Sequence, residues 1–264
     1  MPLNTEAAEL EALLALNYLS PMTRHDPSFF TPIYTPPMCS HYKPVTQVNQ
    51  LRQAFGLGSL EHIGKPDMWP GYQGLFIRPH PHAKVGDEAV PAREALTGHW
   101  GLIPHWSKDG KVKGTFNARS ETIAEKPTFR DAWKKGQRCI IPALSVFEPD
   151  WRTGKAVAAE VSRADDEPMG IAGIWSTWRS PTGWIDSYTM LTVNADDHPV
   201  FKLLHKPQDE KRMVVILNPD SYETWLKGSL SDVTPLIRQC PAEVLQFQSQ
   251  IPTGCQQSSN ATQR

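Results

Sequence analysis

The chain has 264 residues, of which 39% are hydrophobic and 21% charged, and its net charge is −1 with a pI of about 6.8. This is the composition of a globular protein with one large domain or two small ones, and it excludes a chain that is disordered throughout. The near-neutral charge also argues against a protein coated with basic residues for gripping duplex DNA.

Targeting signals and cysteine frameworks are not evident. The sequence contains no run of about 18 apolar residues, which a membrane-spanning helix would need. Its first 18 residues include three glutamates and no basic residue, the wrong charge for a signal or transit peptide, so we expect a cytoplasmic protein. Four cysteines lie far apart without a CxxC pair, which suggests neither a zinc knuckle nor a disulfide framework: Cys39, Cys139, Cys240 and Cys255.

The first 37 residues are expected to form an extension outside the folded domain. Residues 6–16 form an Ala/Leu/Glu stretch that predicts a short helix, and residues 20–37 are rich in proline with no hydrophobic period. Proline removes a backbone donor and interrupts regular structure. The domain is expected to span residues 38–252, and the polar tail at 253–264 is expected to be disordered.

Within the domain, short apolar runs separated by Gly, Pro, Asp and Asn predict strands. These runs cover residues 74–77, 99–103, 139–147, 156–161, 170–176, 188–193 and 213–217. Three helices are predicted: one after Thr46 ending at Gly56, one over 129–135 between Thr128 and Gly136, and one over 219–226 capped by Asn218. Many strands and few helices predict a single, mainly β domain of the α+β class.

A basic segment lies around the middle of the chain. Residues 105–140 contain nine basic and four acidic residues, so this segment carries +5 while the rest of the chain carries −6. Two interpretations stay open: a solvated protein face, or a local surface for nucleic acid. Trp100 and Trp106 flank a short strand and its proline turn just before this segment. Tryptophans beside prolines are usually core residues, yet aromatic rings next to cations also stack single-stranded bases.

Five further residues are candidates for chemistry. Cys39 is either a small buried hydrophobe or a reactive thiol. The segment at 116–122 places Asn117 and Arg119 close to a hydroxyl and a carboxylate, more polar groups than a capping turn needs. Glu148 ends an apolar run, where it either faces water or has a raised pKa and exchanges protons. His205 is either a hydrogen-bonded core histidine or an acid near a reaction centre.

Metal and cofactor sites are not predicted. His80 and His82 resemble a metal-binding pair, but no cysteine or third histidine is placed to complete a site. We therefore expect neither a metal nor a cofactor.

Five motifs in order resemble those of the SOS response-associated peptidase (SRAP) family, the abasic-site processing proteins. They are Met-Cys at residues 38–39, WGLIPxW, FNARSET, RCIIPAxxxFE, and a histidine ahead of RMxVIL, and together they cover residues 38 to about 230. The resemblance implies a β-rich domain, built of twisted antiparallel sheets or a barrel, that binds single-stranded DNA. It also implies that an N-terminal cysteine becomes covalently coupled to the aldehyde of an abasic site, with lyase and (auto)peptidase activity as further expectations.

Matched motif by motif, the resemblance implies roles for individual residues. The catalytic residues would be Cys39, Asn117, Glu148 and His205. Arg119 falls where the family contacts the DNA backbone, and Trp100, Trp106 and His41 are the other expected DNA contacts.

The sequence departs from the family pattern in four places. Ser40-His41 stands where Gly-Arg is usual, so one phosphate contact is expected to be weaker. Glu148 is followed by Pro149 instead of tryptophan, and six residues separate His205 from Arg212 where one is usual. Finally, 38 residues precede Cys39.

The last departure matters because the implied chemistry needs a free α-amino group. Such a group has a pKa of about 7.7–8.0, so much of it is neutral and nucleophilic near pH 7. On an N-terminal cysteine, the amine forms an imine with an aldehyde and the thiol then closes a thiazolidine ring. A peptide nitrogen cannot do this, because its lone pair is delocalised into the carbonyl. We therefore expect the working protein to begin at Cys39, through translation from Met38 or, alternatively, self-cleavage.

Three functions stay open at this stage. The first is crosslinking to abasic sites in single-stranded DNA, with Glu148 as acid/base, His205 as proton donor and Asn117 as orienting amide. The second is a cysteine hydrolase or autopeptidase that uses Cys39, His205 and Asn117. The third is a passive DNA-binding module. The expected partner is single-stranded DNA containing abasic sites, with no membrane contact, and we expect a monomer in the cytoplasm that joins the nucleoid when it acts on DNA.

Overall fold

A computed structural model describes residues 39–249, except 59, 61–63, 85 and 87–88. The predicted extension at 1–37 and the predicted tail at 253–264 lie outside the described residues, so both stay predictions. Within the described part of the chain, no helix combines the length and apolar character needed to cross a bilayer.

Eleven strands and four α-helices account for the regular structure of the described residues. The strands are β1 (His41–Pro44), β2 (Gln73–Pro79), β3 (Arg93–Trp100), β4 (Asn117–Arg119), β5 (Arg138–Asp150), β6 (Val157–Arg163), β7 (Met169–Ser180), β8 (Gly183–Asn194), β9 (Arg212–Val214), β10 (Ile216–Leu217) and β11 (Leu245–Ser249). The helices are α1 (Val48–Phe55), α2 (Arg130–Lys134), α3 (Tyr222–Lys227) and α4 (Leu230–Val233), with short 3₁₀ turns between some of these elements.

Five of the strands close into a ring. In order around it they are β2, β3, β8, β7 and β5, and β5 pairs back onto β2. Strand β5 also pairs with β1 and β6, so it is the hub of the domain. The mainly β, α+β prediction is confirmed. Most strand pairs are antiparallel, as expected, and β8 additionally runs parallel to both β3 and β4.

Strand β5 lies at the centre of the domain because it contains a run of apolar residues. Residues 139–143 are all buried, and each fully buried Ile in this run stabilises the fold by about 1.5–3 kcal/mol relative to an exposed one. Strand β7 pairs with β5 at Gly173, where the neighbouring atoms leave no room for a side chain. A Cβ at this position would lie 2.3 Å from Ile141 Cδ1 and 2.7 Å from the Thr189 carbonyl oxygen. Glycine is therefore required for the ring to close.

Several predicted boundaries were wrong. The strand predicted at 99–103 is the end of β3, which stops at Trp100 because Gly101 has a φ of +134°. Beyond it, the amide of Leu102 bonds Thr115 instead of a neighbouring strand. Thr46 and Thr128 do not cap α1 and α2, whose first residues follow Gln47 and Phe129 without a side-chain cap.

Other turn predictions were correct. Gly56 and Gly136 end their helices with positive φ, and Asn218 accepts a hydrogen bond from the amide of Asp220. Strands β1, β4 and β11 and helix α4 were not predicted, because each has at most five residues and shows no clear period.

Candidate active site

Cys39 lies directly before β1, beside the end of β5. The antiparallel register pairs His41 with Phe147, so continuing it places Cys39 alongside Glu148 and Pro149. The Cys39 side chain is buried, with 1% of its surface exposed. Two residues that are 109 positions apart in the chain are thus brought together by strand pairing.

Glu148 is the carboxylate of this site. It is 3% exposed, and burial raises the pKa of its carboxyl well above the ordinary value. The backbone amide of Cys39 hydrogen-bonds this carboxylate and offsets only part of the shift. Within the described residues, its Oε2 atom has no hydrogen-bond partner. The carboxyl group is therefore held mainly neutral, next to the backbone nitrogen of Cys39.

Asn117 reaches the same point from the other side. It begins β4, which runs parallel to β8 with Asn117 opposite Met190. The Asn117 side chain is buried, and its Nδ2 donates a hydrogen bond of 2.8 Å to the Cys39 carbonyl oxygen. Its Oδ1 atom, also buried, finds no partner in the described part of the chain. This amide thus positions the Cys39 main chain and keeps one acceptor available.

His205 completes the cluster through an unusual backbone conformation. Its φ is +65°, a left-handed value that a non-glycine residue adopts only when the surroundings hold it. Here the His205 amide donates to the Pro149 carbonyl oxygen at 2.6 Å, and Leu204 bridges Asp150 at the end of β5. The ring's Nε2 lies 3.4 Å from Glu148 Oε2 and 3.2 Å from the Arg212 carbonyl oxygen.

The protonation of His205 follows from these contacts. A carbonyl oxygen only accepts hydrogen bonds, so the contact with Arg212 requires a proton on Nε2. Burial lowers the pKa of His205 to about 4, so the imidazole is neutral at pH 7. Burial, with a smaller contribution from the charge of Glu148, raises the pKa of the Cys39 thiol well above its ordinary value. The site therefore keeps three ionisable side chains uncharged.

Arg119 lies two residues after Asn117 but belongs to a charged surface cluster. Its guanidinium is about half exposed and forms a 2.7 Å ion pair with Glu210. The same carboxylate pairs at 2.6 Å with Arg212, which is itself buried and also bound by Glu121 at 2.8 Å. Glu210 is one of the six residues that separate His205 from Arg212, where the family usually has one. The longer spacing is visible in the sequence, but the ion pair of Glu210 with Arg119 is not.

Of the two tryptophans predicted to contact DNA, the structure buries one and exposes the other. Trp100 is fully buried: its ring packs edge-on against Tyr42, and its Nε1 donates to the Phe116 carbonyl oxygen. It offers no ring face to a base, so the prediction that it stacks on DNA is wrong. Trp106 is 53% exposed and stays a predicted DNA contact.

His41 and the basic segment are also placed by the structure. The His41 ring is stacked between Trp69 and Phe147, and its Nε2 lies 2.9 Å from an Asp67 oxygen. In the basic segment, Arg138 is buried and donates to the Trp225 carbonyl oxygen, so it has a structural role. The remaining basic residues are exposed, as a surface for an anionic polymer requires: Lys108, Lys111, Lys113, Arg119, Lys126, Arg130, Lys134 and Lys135.

No group of three or more metal-binding side chains occurs among residues for which coordinates are described. The four predicted catalytic residues bring together one thiol, one amide, one carboxyl and one imidazole.

Comparison with known proteins agrees with the motif analysis. Residues 38–251 match the family model described as SOS response associated peptidase (SRAP). The abasic site processing protein YoqW of Bacillus subtilis is 32% identical over 137 residues, which cover 50% of this chain and 57% of YoqW. The abasic site processing protein HMCES of Gallus gallus is 31% identical over 183 residues, covering 59% and 52%. The chain thus matches little more than half the length of these curated relatives.

Solved structures extend the match over most of the domain. A crystal structure from Bordetella bronchiseptica superposes with a TM-score of 0.72 at 45% identity and covers 80% of this chain and 99% of that one. A crystal structure from Bacteroides thetaiotaomicron has a TM-score of 0.63 at 20% identity, covering 80% and 91%, and so shares the fold.

Proposed function

The chain belongs to the SOS response associated peptidase family, and we propose that it processes abasic sites in single-stranded DNA by coupling Cys39 covalently to the abasic sugar. One observation carries this proposal: the backbone nitrogen of Cys39 lies against the buried carboxyl of Glu148. Relatives named abasic site processing proteins support the substrate.

The chemistry begins at the nitrogen of Cys39 once it is an α-amine. The neutral form of the amine attacks the aldehyde carbon, and a proton moves from the nitrogen to the oxygen to give a carbinolamine. The protonated carboxyl of Glu148 then donates its proton to the carbinolamine hydroxyl, which leaves as water. The resulting carboxylate takes back the proton from the nitrogen, which gives an imine and restores the neutral carboxyl. The Cys39 sulfur adds to the imine carbon, its proton moves to the nitrogen, and a five-membered thiazolidine ring results.

The state of the thiol fits this order of steps. Burial keeps the Cys39 thiol protonated, so the amine attacks first and the thiol follows. The thiol's hydrogen bonds are with the backbone of His41, at a long 3.6 Å to its carbonyl oxygen, and with the backbone of Phe147, and both can be given up for ring closure.

The neighbouring groups position the reactants. Asn117 fixes the Cys39 carbonyl, and its unpartnered Oδ1 is an acceptor for the amine or for a hydroxyl of the substrate. His205 is neutral at pH 7 with its proton on Nε2, so it donates to the sugar oxygen during ring opening by exchanging the Arg212 carbonyl for that oxygen, while Glu148 carries the transferred proton. The same carboxyl can also protonate the ring nitrogen and reverse the adduct.

The rest of the surface supports a nucleic-acid substrate. Eight exposed basic residues in one segment neutralise phosphates, and Trp106 exposes an aromatic ring beside them. This combination suits a single strand, whose bases are free to stack.

This function requires that Cys39 be the first residue of the active form. We propose that translation starts at Met38 and this methionine is removed, or that the chain cleaves itself before Cys39. Self-cleavage is the second candidate: water adds to the carbonyl carbon of Met38, the bond from this carbon to the Cys39 nitrogen breaks, and a free carboxyl and a free α-amine result. The contact between the Cys39 amide and Glu148 favours it, because a protonated carboxyl can donate to the departing nitrogen.

A general cysteine peptidase has less support. Such an enzyme needs a thiolate or a base on the thiol, whereas burial raises the pKa of the Cys39 thiol, and His205 Nε2 is engaged by Arg212.

The test compares two proteins on one DNA. A chain starting at Met38 and the full 264-residue chain are incubated with single-stranded DNA containing an abasic site, and denaturing gels report covalent complexes while intact mass reports the first residue. We expect crosslinking by the short form and only non-covalent binding by the uncleaved long form. A strand carrying a tetrahydrofuran residue, which has no aldehyde, is the control. Equal crosslinking by a long form whose mass still includes residues 1–38 would refute the thiazolidine mechanism.

A further inference from the structure

An exposed aromatic turn lies beside the active site and has no part in the chemistry described above. Residues 69–72 begin with Trp69 and end with Tyr72, which are 45% and 39% exposed. Large aromatic side chains at the surface usually mark a binding site when they are held rigidly.

The turn is rigid by construction. The Tyr72 amide donates to the Trp69 carbonyl oxygen at 2.9 Å, Pro70 occupies the second position, and Gly71 has a φ of +92°, the pattern of a type II turn. Both ends are tied to the core. Met68 exchanges backbone hydrogen bonds with Tyr42, and Trp100 exchanges them with Gly71 and Tyr72.

Trp69 is the outer ring of a stack that leads into the domain. Its indole lies parallel to His41 at 4.2 Å and 5°, and His41 lies parallel to Phe147 at 4.0 Å and 12°. Phe147 belongs to β5, and Asp67 holds the middle ring through a 2.9 Å contact. Among the described residues His41 is the one ring stacked on Trp69, and 45% of the Trp69 surface is exposed, which leaves room for a fourth ring on its outer face.

The stack ends next to the reacting groups. His41 is two residues from Cys39, and Phe147 directly precedes Glu148. Two lysines lie over nearby rings: Lys43 Nζ is 5.3 Å from the centre of the Phe147 ring in the stack, and Lys65 Nζ is 3.9 Å from that of Tyr72 in the turn. A planar ring linked to phosphates fits this surface, because the ring can stack while lysines neutralise the backbone.

We propose that the open face of Trp69 binds a nucleobase adjacent to the abasic position, which extends the stack of three rings to four. This inference rests on the proposed function, since it takes single-stranded DNA as the ligand. Trp100 was predicted to stack on a base but is buried, and under this proposal Trp69, which no motif identified, stacks on a base instead. The base holds the strand in place while the neighbouring sugar, which has no base of its own, enters the site at Cys39.

A binding cycle without covalent chemistry tests this. The full 264-residue chain is titrated with a strand that carries one central tetrahydrofuran residue between thymines, and with a strand in which both neighbours are also tetrahydrofuran. Because neither strand has an aldehyde, only non-covalent affinity is measured. The variants are Trp69→Ala and Trp69→Phe, and the control is Trp184→Ala, a 70% exposed tryptophan at the far end of the β7–β8 hairpin.

The parent is expected to prefer the strand with neighbouring bases by roughly 5- to 150-fold, the range for one base stacked on an aromatic ring. Trp69→Ala should bind both strands equally, Trp69→Phe should keep part of the preference, and Trp184→Ala should keep all of it. A preference that survives in Trp69→Ala, or is missing in the parent, overturns this inference alone. A parent that binds neither strand overturns the proposed function and this inference with it.

Discussion

Two neighbouring groups of ionisable side chains differ in charge: one group is uncharged and the other is charged. In the buried site, Cys39, Glu148 and His205 are all kept uncharged by burial. In the surface cluster, Arg119 and Arg212 are matched with the carboxylates of Glu121 and Glu210 and stay charged. The two groups are joined by strand β4, in which Asn117 faces the first and Arg119, two residues later, faces the second.

The difference reflects how much water each group retains. Where nearly all water is excluded, charge is costly and protons stay on the carboxyl and thiol, which makes them available for transfer. At the surface, partial burial acts to raise the pKa of Glu121, but hydrogen bonds and charge from Arg212 outweigh it and lower the pKa. The first arrangement suits proton transfer and the second suits recognition of an anion.

The largest expected effect follows from removing the nucleophile. Cys39→Ala should abolish the denaturant-stable complex with abasic single-stranded DNA, while non-covalent affinity stays about the same because Arg119 and the lysines are intact. Denaturing gels and filter binding measure the two quantities. Cys240→Ala is the matched control, since Cys240 is also buried but lies away from the site. A stable adduct in Cys39→Ala would exclude this residue as the nucleophile.

The next effect concerns the buried carboxyl. Glu148→Gln should slow crosslinking by about 10²- to 10⁴-fold, the usual loss for a general acid/base, while the fold is retained because the two side chains have nearly the same shape. Single-turnover kinetics of the chain starting at Met38 measure this. Glu160→Gln, which alters an ion-paired carboxylate on the adjacent strand β6, should crosslink at the parental rate. An unchanged rate in Glu148→Gln would leave the carboxyl without a catalytic role.

Arg119→Ala addresses the charged cluster. It should weaken binding to single-stranded DNA by about tenfold whatever the sequence, and it should reduce the slope of log affinity against log salt by about 0.7, the value for one lost phosphate contact. Titrations at several salt concentrations provide both values. Arg163→Ala, which removes a cation paired with Asp165 at the end of β6, should leave the slope unchanged. A weaker affinity with a parental slope would argue that Arg119 does not contact phosphate.

The free energy of unfolding should also depend on pH in opposite ways for a buried carboxyl, Glu148, and for an ion-paired carboxylate, Glu160. The folded pKa of Glu148 is raised, so its contribution to stability is fully present below about pH 4.5 and is lost as pH rises through the raised value. Relative to Glu148→Gln, the parent should therefore lose up to about 1.4 kcal/mol of unfolding free energy per pH unit in that range.

A carboxylate with a lowered pKa gives the contrasting result. Partial burial acts to raise the pKa of Glu160, but hydrogen bonds from Ser145 and Lys43 and the charge of Lys43 lower it overall. Its contribution is therefore present above about pH 4.5 and lost as pH falls below that value. Urea unfolding of the parent, Glu148→Gln and Glu160→Gln from about pH 3 to pH 8 should show the Glu148 contribution falling as pH rises and the Glu160 contribution falling as pH drops below about 4.5. Parallel trends would contradict the burial of Glu148.

The smallest expected effect is a gain of affinity. Glu210 occupies the Arg119 guanidinium at 2.7 Å, so a phosphate must displace it. Glu210→Gln should tighten binding to single-stranded DNA by about two- to fivefold, in line with the small free energy of an exposed ion pair. Glu223→Gln, which breaks a surface pair with Lys227, serves as the control. Weaker binding in Glu210→Gln would show that this carboxylate organises the surface instead of competing with DNA.

Much of the fold was predictable from local patterns. Apolar runs located seven strand regions, and glycines at 56 and 136 marked helix ends, because burial and positive φ leave traces within a few residues. Five ordered motifs also indicated the family, the mainly β class, and the set Cys39, Asn117, Glu148 and His205. The roles of these four residues remain proposals, although the structure brings all of them together.

Only the tertiary structure decided how these residues behave. The pairing of β1 with β5 placed the Cys39 nitrogen against Glu148, and the left-handed backbone at His205 brought its ring to the same carboxyl. Trp100 became a core residue while Trp69 became an exposed one, a distinction that no local pattern contains. Burial and pKa depend on which distant segments exclude water from a side chain, and such contacts are set by strand pairing across the whole domain. The sequence by itself therefore determined the kinds of groups available, and the packing determined which of them stay neutral, charged or open to a ligand.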